Sequence, residues 1–292
     1  MVKLKLLFVG VFDRNHQSTN TSQIISFKRL GVDVVGYNYR SKSLLIGEHK
    51  RDLDLIRVVK QGNFDLIVFS KCNKVSEQVF VESKNYSKTC LWFMDPLVSY
   101  NEEMRSKTEL VDYFCCDKIN VLEVAKKHNS NSFHVCEGYN EDVDFPTVQD
   151  KRWDVSFIGN VYGDRESLIK KIESPVTVLN GAYGKQHSLA VCSTKINLNF
   201  CTSNGASDRV YKILAASGFL LSNDWSGRKK HFKDGEDLVI FTDIEDLNKK
   251  IKFYLNNKKE RDRISSNGHK KVQKYTRLSW AKEIINLYEQ VK

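Results

Sequence analysis

Arg209 stands where a loop gives way to an apolar-periodic run, in the stretch Asn204–Phe241, NGASDRVYKILAASGFLLSNDWSGRKKHFKDGEDLVIF. An Asn-Gly-Ala-Ser segment leads into a helix that opens on Asp208-Arg209 and stops at Ser217-Gly218. Four unpaired N–H groups and the positive end of the helix dipole point into the loop, and Arg209 adds a full charge there. Such a place suits a diphosphate. The same residues also fit a core helix carrying an ordinary exposed arginine. After the helix come two apolar bursts, Phe219-Leu220-Leu221 and Leu238 to Phe241, separated by a turn-rich loop. Loop, helix, short buried strand, loop and strand are the grammar of an open α/β sheet.

The elements before this stretch repeat the same rhythm. Residues 3–10 read as a first strand, 22–30 as a helix ending at Gly31, and 32–37 as a second strand. A basic loop, NYRSKSLLIGEHKR, precedes a helix over 52–60 with Leu53, Ile56 and Val59 at helical spacing. FDLIVF (64–69) is apolar on both faces, as a central parallel strand is. A helix over 75–85 and a fourth strand, TCLWFM (89–94), end at Asp95-Pro96, and 113–116 and 133–136 supply two more strand-like pieces. The alternation predicts a doubly wound parallel sheet, whose ligands gather at the carboxyl ends of strands, so loops 11–21, 38–51 and 95–101 are candidates for chemistry. Residues 140–152, with Pro146 and many charges, read as a linker. A second sheet starts at Trp153, where WDVSFIGNVYGDRESLIKKI reads as a strand, a glycine-containing turn and a helix from about Asp164, followed by strands at 176–179 and 196–200 and a helix over 187–193. Helices over 244–255, 261–275 and 279–291 close the chain.

Composition narrows the class. The 292 residues suit two compact domains, and 41% hydrophobic with 28% charged residues excludes a disordered chain. Seven cysteines with no C-x-x-C pair point to free thiols in a reducing compartment and against structural zinc. The N-terminal apolar run is short, contains Gly10 and lacks a small-residue cleavage site, so it reads as a buried strand and not a signal peptide. No stretch approaches the roughly 18 apolar residues of a membrane span, and a cytoplasmic protein is expected. The net charge of +10 favours an anionic partner: nucleic acid, an anionic membrane or a phosphate-bearing substrate.

Taken in order, DVSFIGNVYGDR (154–165), STKINLNF (193–200), DRVYKILAASGFLLSND (208–224), FKDGEDLVIFTDIEDL (232–247) and the tail from Ile251 resemble the CgeB-like family of GT-B glycosyltransferases, with their "group 1" type of C-terminal domain. In the first half WFMDP (92–96) resembles the family's Trp-x-x-Asp-Pro. The resemblance implies two Rossmann-like, doubly wound α/β domains facing each other across a cleft: an acceptor domain over 1–145, a nucleotide-sugar donor domain over 153–277, and a final helix over 278–292 crossing back to the first domain.

It also implies a nucleotide-diphosphate sugar, such as a UDP-sugar, as donor. Gly159 and Asn160 then lie in the turn after the second domain's first strand, where bare backbone approaches the diphosphate. Tyr162 and Arg165 flank that turn. Gly181 and Tyr183 fall where such enzymes contact the nucleobase, and Arg209 matches an arginine that grips phosphate oxygens. One departure is Lys212, where many relatives place a glutamate on the ribose. Lysine donates and cannot accept, so the ribose contact is different or absent, and Lys212 can face the phosphates instead.

Sugar transfer needs a base for the acceptor hydroxyl and positive charge for the departing diphosphate. Arg209, the helix start and Lys212 meet the second need, so no cofactor and no divalent metal is required. Asp95 is the preferred base, following a buried strand, held by Pro96 and carrying the family likeness. Asp13 and His16, in the loop after strand one, are alternatives, with Glu137 as a fourth candidate. The favoured acceptor is a hydroxymethylated base in duplex DNA, as in phage-type DNA-base glycosyltransferases. Arg40, Lys42, Lys50, Arg51 and the run RKKHFK (228–233) would hold its phosphates while the base is flipped out. The alternatives are a glycosyltransferase acting on a cell-surface polysaccharide, glycolipid or protein, with the basic face on anionic lipid, and a catalytically dead sugar- or nucleic-acid-binding protein.

Overall fold

Alternation along the first strands decides how the first sheet is covered. In β1 (Lys5–Gly10) and β3 (Leu66–Ser70), Leu7, Val9, Ile67 and Phe69 enter one buried cluster, while Leu6, Phe8, Leu66 and Val68 enter another. A sheet buried on both faces must be packed by helices on both sides, and this one is. The computed structural model describes residues 4–12 and 18–291. They divide into two units, Met1–Glu137 with Arg277–Lys292, and Gly138–Thr276.

The first unit adds β2 (Asp33–Asn38), β4 (Lys88–Phe93), β5 (Tyr113–Cys116) and β6 (Ser132–His134) in the order β2-β1-β3-β4-β5-β6, every pairing parallel. Its helices are α1 (Thr19–Arg29), α2 (Tyr39–Ile46), α3 (Glu48–Gly62), α4 (Glu77–Lys84), α5 (Glu102–Leu110) and α6 (Ile119–Ala125). The segment 38–51, expected as a loop, is instead α2 and the first turn of α3. Asn38 caps α2 by accepting from the Ser41 N–H, and Gly47 breaks it at φ 81°, a conformation that favours glycine. Helix α5 was not evident in its charged sequence; Asn101 caps it through the Met104 N–H.

The second unit orders its strands β11-β10-β9-β7-β8, again all parallel, from β7 (Trp153–Ile158), β8 (Val176–Leu179), β9 (Thr194–Asn199), β10 (Leu220–Asn223) and β11 (Val239–Phe241). Its helices are α7 (Arg165–Lys170), α8 (Lys185–Cys192), α9 (Asp208–Ala215), α10 (Ile244–Asn256) and α11 (Lys258–Val272). Residues 138–145, which the sequence reading joins to the first domain, bond within the second unit: the Tyr139 N–H donates to Tyr275 O and Ser188 Oγ donates to Val143 O. A Cβ on Gly138 would stand 2.6 Å from Tyr275 O.

The last helix, α12 (Arg277–Val291), belongs to the first unit. Trp280 is 1% exposed and meets Trp92 and Phe27 edge-on with ring centroids 5.3 Å apart, while Ala281, Ile284 and Leu287 extend the same cluster. Each large apolar side chain so buried contributes about 1.5–3 kcal/mol, which is ample to hold the helix down. Among the described residues no helix is long and apolar enough to cross a membrane.

Candidate active site

The second sheet reverses its winding between β7 and β9, since β8 lies on one side of β7 and β9 to β11 on the other. Ligands of open α/β sheets collect at the carboxyl ends of strands at such a switch point. Arg209 is anchored there. Its Nε donates to Ile158 O at the end of β7 over 2.8 Å, and its Nη1 donates to Asn199 Oδ1 at the end of β9 over 2.9 Å. The helix that delivers it starts at Ser207, whose Oγ accepts from the Arg209 N–H. The guanidinium lies 4.7 Å from the Phe157 ring centroid, and its Nη2 rests over Gly159, where a Cβ would come within 2.6 Å.

Arg165 joins it. From the first position of α7 its Nη1 donates to Asn160 O and its Nη2 to Phe200 O. Its guanidinium stacks 4.0 Å from the Tyr162 centroid and stands 5.6 Å from Phe157, so one buried ring carries two guanidinium groups. Burial lowers the Arg209 pKa, and the charge of Arg165 pushes the same way against the pull of Asp208. Asp208 itself is paired with Lys212 at 2.5 Å. Among the described residues the hydrogen-bond partners of both guanidinium groups are carbonyls, an amide and a hydroxyl, none of them charged. Two cations held side by side against neutral partners make a place for an anion with more than one charge.

The remaining donor-side residues lie on this unit as follows. Asn160, Tyr162 and Tyr183 are exposed; Gly159, Gly181 and Gly184 have positive φ. Lys212, one turn into α9, is tied to Asp208. Three contributors escaped the sequence reading: Phe157, Asn199 and His187. Asn199 is fully buried and relays the arginine contact onward, its Nδ2 donating to Ser222 Oγ over 2.9 Å. A polar residue at a core position of an apolar strand, in INLNF, is the signal that marks it. His187, on α8, is 7% exposed with its Nδ1 unpartnered. Burial, then the charges of Lys212 and Arg209, push its pKa down to about 3, so it is neutral at ordinary pH.

In the first unit Asp95 follows β4, and Lys71 Nζ donates to its Oδ1 at 2.5 Å. Asp95 Oδ2 has no hydrogen-bond partner among the described residues. Lys71 opens a strained segment: Lys71 and Cys72 have φ 60° and Lys74 φ 62°, costing on the order of 1–3 kcal/mol each. Buried cations clamp it. Lys107 Nζ donates to Cys72 O, Arg51 donates to Lys74 O, and Glu103 Oε1 accepts from the Lys74 N–H. Arg51 is therefore not an acceptor-binding cation. It is 1% exposed and also bonds Asp52 and Ser43, because α3 turns it inward. Arg40 and Lys50 are exposed, and Lys42 pairs with Asp54 at 3.0 Å. Glu137 is buried against Arg277 at the start of α12. Asp13 and His16 lie outside the described residues.

Residues 145–286 match the family described as glycosyl transferase-like. Just under half of the chain, its second unit above all, thus matches a glycosyl transferase-like domain. Among solved structures, it is similar to Anabaena HepE in complex with UDP-glucose, at 9% identity and a TM-score of 0.73, covering 98% of this chain and 100% of that one. It is similar also to sucrose-phosphate synthase from Thermosynechococcus elongatus, at 10% identity and a TM-score of 0.74 over 99% of each chain. A third such structure, a glycosyltransferase from Rickettsia africae, matches at 10% identity and a TM-score of 0.69 over 100% of this chain and 99% of that one. At these identities the likeness is one of fold: the chain has the two Rossmann-like parallel-sheet units of GT-B proteins. No curated protein matches it in sequence.

Proposed function

We propose that the protein moves a sugar from a UDP-sugar to an acceptor hydroxyl. The observation that carries this reading is the pair of guanidinium groups, Arg209 and Arg165, at the switch point of the second sheet with only neutral hydrogen-bond partners. The HepE structure with UDP-glucose supports the same donor class. In the transfer, the bond from the anomeric carbon to the diphosphate oxygen breaks and its electron pair leaves with UDP. The acceptor oxygen bonds the anomeric carbon and gives up its proton. Arg209, Arg165 and the start of α9 neutralise the departing diphosphate, and no divalent metal is needed as counter-charge. Gly159 and Asn160 give it backbone access, Tyr162 stacks on Arg165, and Gly181 and Tyr183 serve the base. Lys212 stands near the phosphates.

Asp95 is our proposed base. Lys71 orients the carboxylate through one oxygen and leaves the other for the acceptor proton. Asp95→Asn should keep UDP binding and lose turnover of UDP-sugars in an acceptor panel; near-normal turnover would remove Asp95 from the role.

Two acceptor classes compete. A hydroxymethylated base in duplex DNA would use Arg40, Lys42 and Lys50, but Arg51 has no free face to offer it. A specific observation favours an acceptor at an anionic lipid surface. Leu44 and Leu45 are 85% and 79% exposed on α2, with Ile46 beside them and Arg40 and Lys50 close in the chain. Exposed aliphatic side chains among cations match an interface of acyl chains and anionic headgroups. None of the seven cysteines is in a disulfide, in keeping with a reducing compartment, and we place the protein at the cytoplasmic side of such a surface. Sedimentation with anionic but not neutral vesicles, abolished by Leu44→Ser with Leu45→Ser, is the expected result. Salt-dependent shifting of duplex DNA without vesicle binding would favour the DNA reading instead.

A further inference from the structure

At the opposite end of β9 from Asn199, the second unit holds a cavity of about 220 Å³ that no step of sugar transfer uses. Lys195, the second residue of β9, lines one side, and Lys258, Arg261 and Asp262 line another from the first turns of α11. Lys151, just before β7, completes the ring. Four cations thus face one carboxylate. Lys258 pairs with that carboxylate at 2.5 Å, and Lys195 pairs outside the ring with Asp154 at 2.6 Å.

The other two cations, Lys151 and Arg261, form no ion pair among the described residues. Lys151 Nζ donates to Cys192 O and Thr194 O, both backbone carbonyls. Arg261 is 8% exposed, and its Nη1 donates to the carbonyls of Tyr254 and Leu255 at the end of α10. Its other guanidinium nitrogens have no hydrogen-bond partner among the described residues, and neither do the hydroxyls of Ser217 and Ser265 on the cavity wall. Helix α11 begins here without a side-chain cap, so its first N–H groups add to the positive potential. Burial lowers the pKa of both Lys151 and Arg261, against the opposing pull of Asp262.

We infer that this cavity is a second anion site, built for one phosphoryl group, as inorganic phosphate or a small phosphomonoester. The cavity is smaller than the roughly 300–1,000 Å³ of sites for drug-sized ligands, which excludes a whole nucleotide sugar. A phosphoryl oxygen set can take both free Arg261 donors and the serine hydroxyls together, a match that a chloride or a single carboxylate lacks.

The full-length chain would be titrated calorimetrically at low ionic strength with inorganic phosphate and, separately, with glycerol 3-phosphate. Wild type, Arg209→Ala and the double variant Lys195→Gln with Lys258→Gln would be compared. Lys195 and Lys258 are exposed enough that their loss leaves the fold intact, which an unchanged melting temperature checks. Saturable binding at one site is expected to persist in Arg209→Ala and to weaken by about tenfold or more in the double variant. The tighter of the two ligands identifies the source of the phosphoryl group. Binding of equal strength in the double variant, binding lost in Arg209→Ala alone, or no saturable binding to wild type would each overturn the assignment. Because Arg209→Ala is assayed beside it, failure of this site is distinguishable from failure of the donor site.

Discussion

Arg209 Nη1 and Asn199 Oδ1 lie 2.9 Å apart at the carboxyl end of β9, and this bond, with the one from Nε to Ile158 O, fixes which way the guanidinium faces. Asn199 is itself fixed by Ser222 and has no freedom to follow a displaced arginine. Asn199→Ala should therefore weaken UDP binding by about tenfold, the loss of one hydrogen bond to a charged group. Asn199→Asp keeps the geometry but neutralises the cation, so it should bind UDP more weakly than the alanine variant. Equal affinities in calorimetry would mean that Asn199 acts by shape and not by leaving the charge available.

Gly159 makes a separate test of the same arrangement. Its φ of 132° and the 2.6 Å approach of Arg209 Nη2 to a built Cβ both oppose a side chain. Gly159→Ala should lower stability by about 1–3 kcal/mol in urea unfolding and weaken UDP binding through the displaced arginine. A variant that unfolds earlier but binds UDP normally would separate the turn from the site.

Arg51 and Arg40 share a residue type and a stretch of sequence, yet they should behave oppositely. Arg51→Met removes a buried cation from Asp52, Ser43 and Lys74 O, and a loss of about 3–5 kcal/mol is expected. Arg40→Ala, on an exposed position, should stay within about 0.5 kcal/mol. Urea midpoints decide between them.

His187 should make stability fall in mild acid. Its folded pKa of about 3 lies below the ordinary value of 6.5, so the unfolded chain binds the proton first. Its contribution is complete above pH 6.5 and declines as pH drops towards 3, with a slope of at most about 1.4 kcal/mol per pH unit. His187→Gln should flatten urea stability between pH 6.5 and 4.5 relative to wild type. Parallel curves would show that the imidazole is not held neutral in the fold.

Strands were legible because burial on both faces writes a continuous apolar run, as in FDLIVF, whose last four residues open β3. The start of α9 was legible for the same kind of reason, since Ser207, Asp208 and an apolar period mark a helix without any tertiary help. Helix α2 was not. Leu44 and Leu45 point to solvent, so no apolar stripe reports it, and its ends depend on the Asn38 cap and on Gly47. Charge alone could not tell the buried Arg51 from the exposed Arg40, because which face of α3 turns inward is settled by packing. Lys71 and Asp95 follow the ends of β3 and β4, apart in sequence, and only the pairing of those strands brings them together.

The central claim is that Arg209 holds the diphosphate of the donor. Calorimetric titration of UDP into wild type and Arg209→Ala, each checked for native near-UV circular dichroism, tests it most directly. Loss of a charge-assisted contact worth about 1.5–3 kcal/mol predicts a dissociation constant raised by roughly 10- to 150-fold. An Arg209→Ala protein that binds UDP within about twofold of wild type would contradict the account.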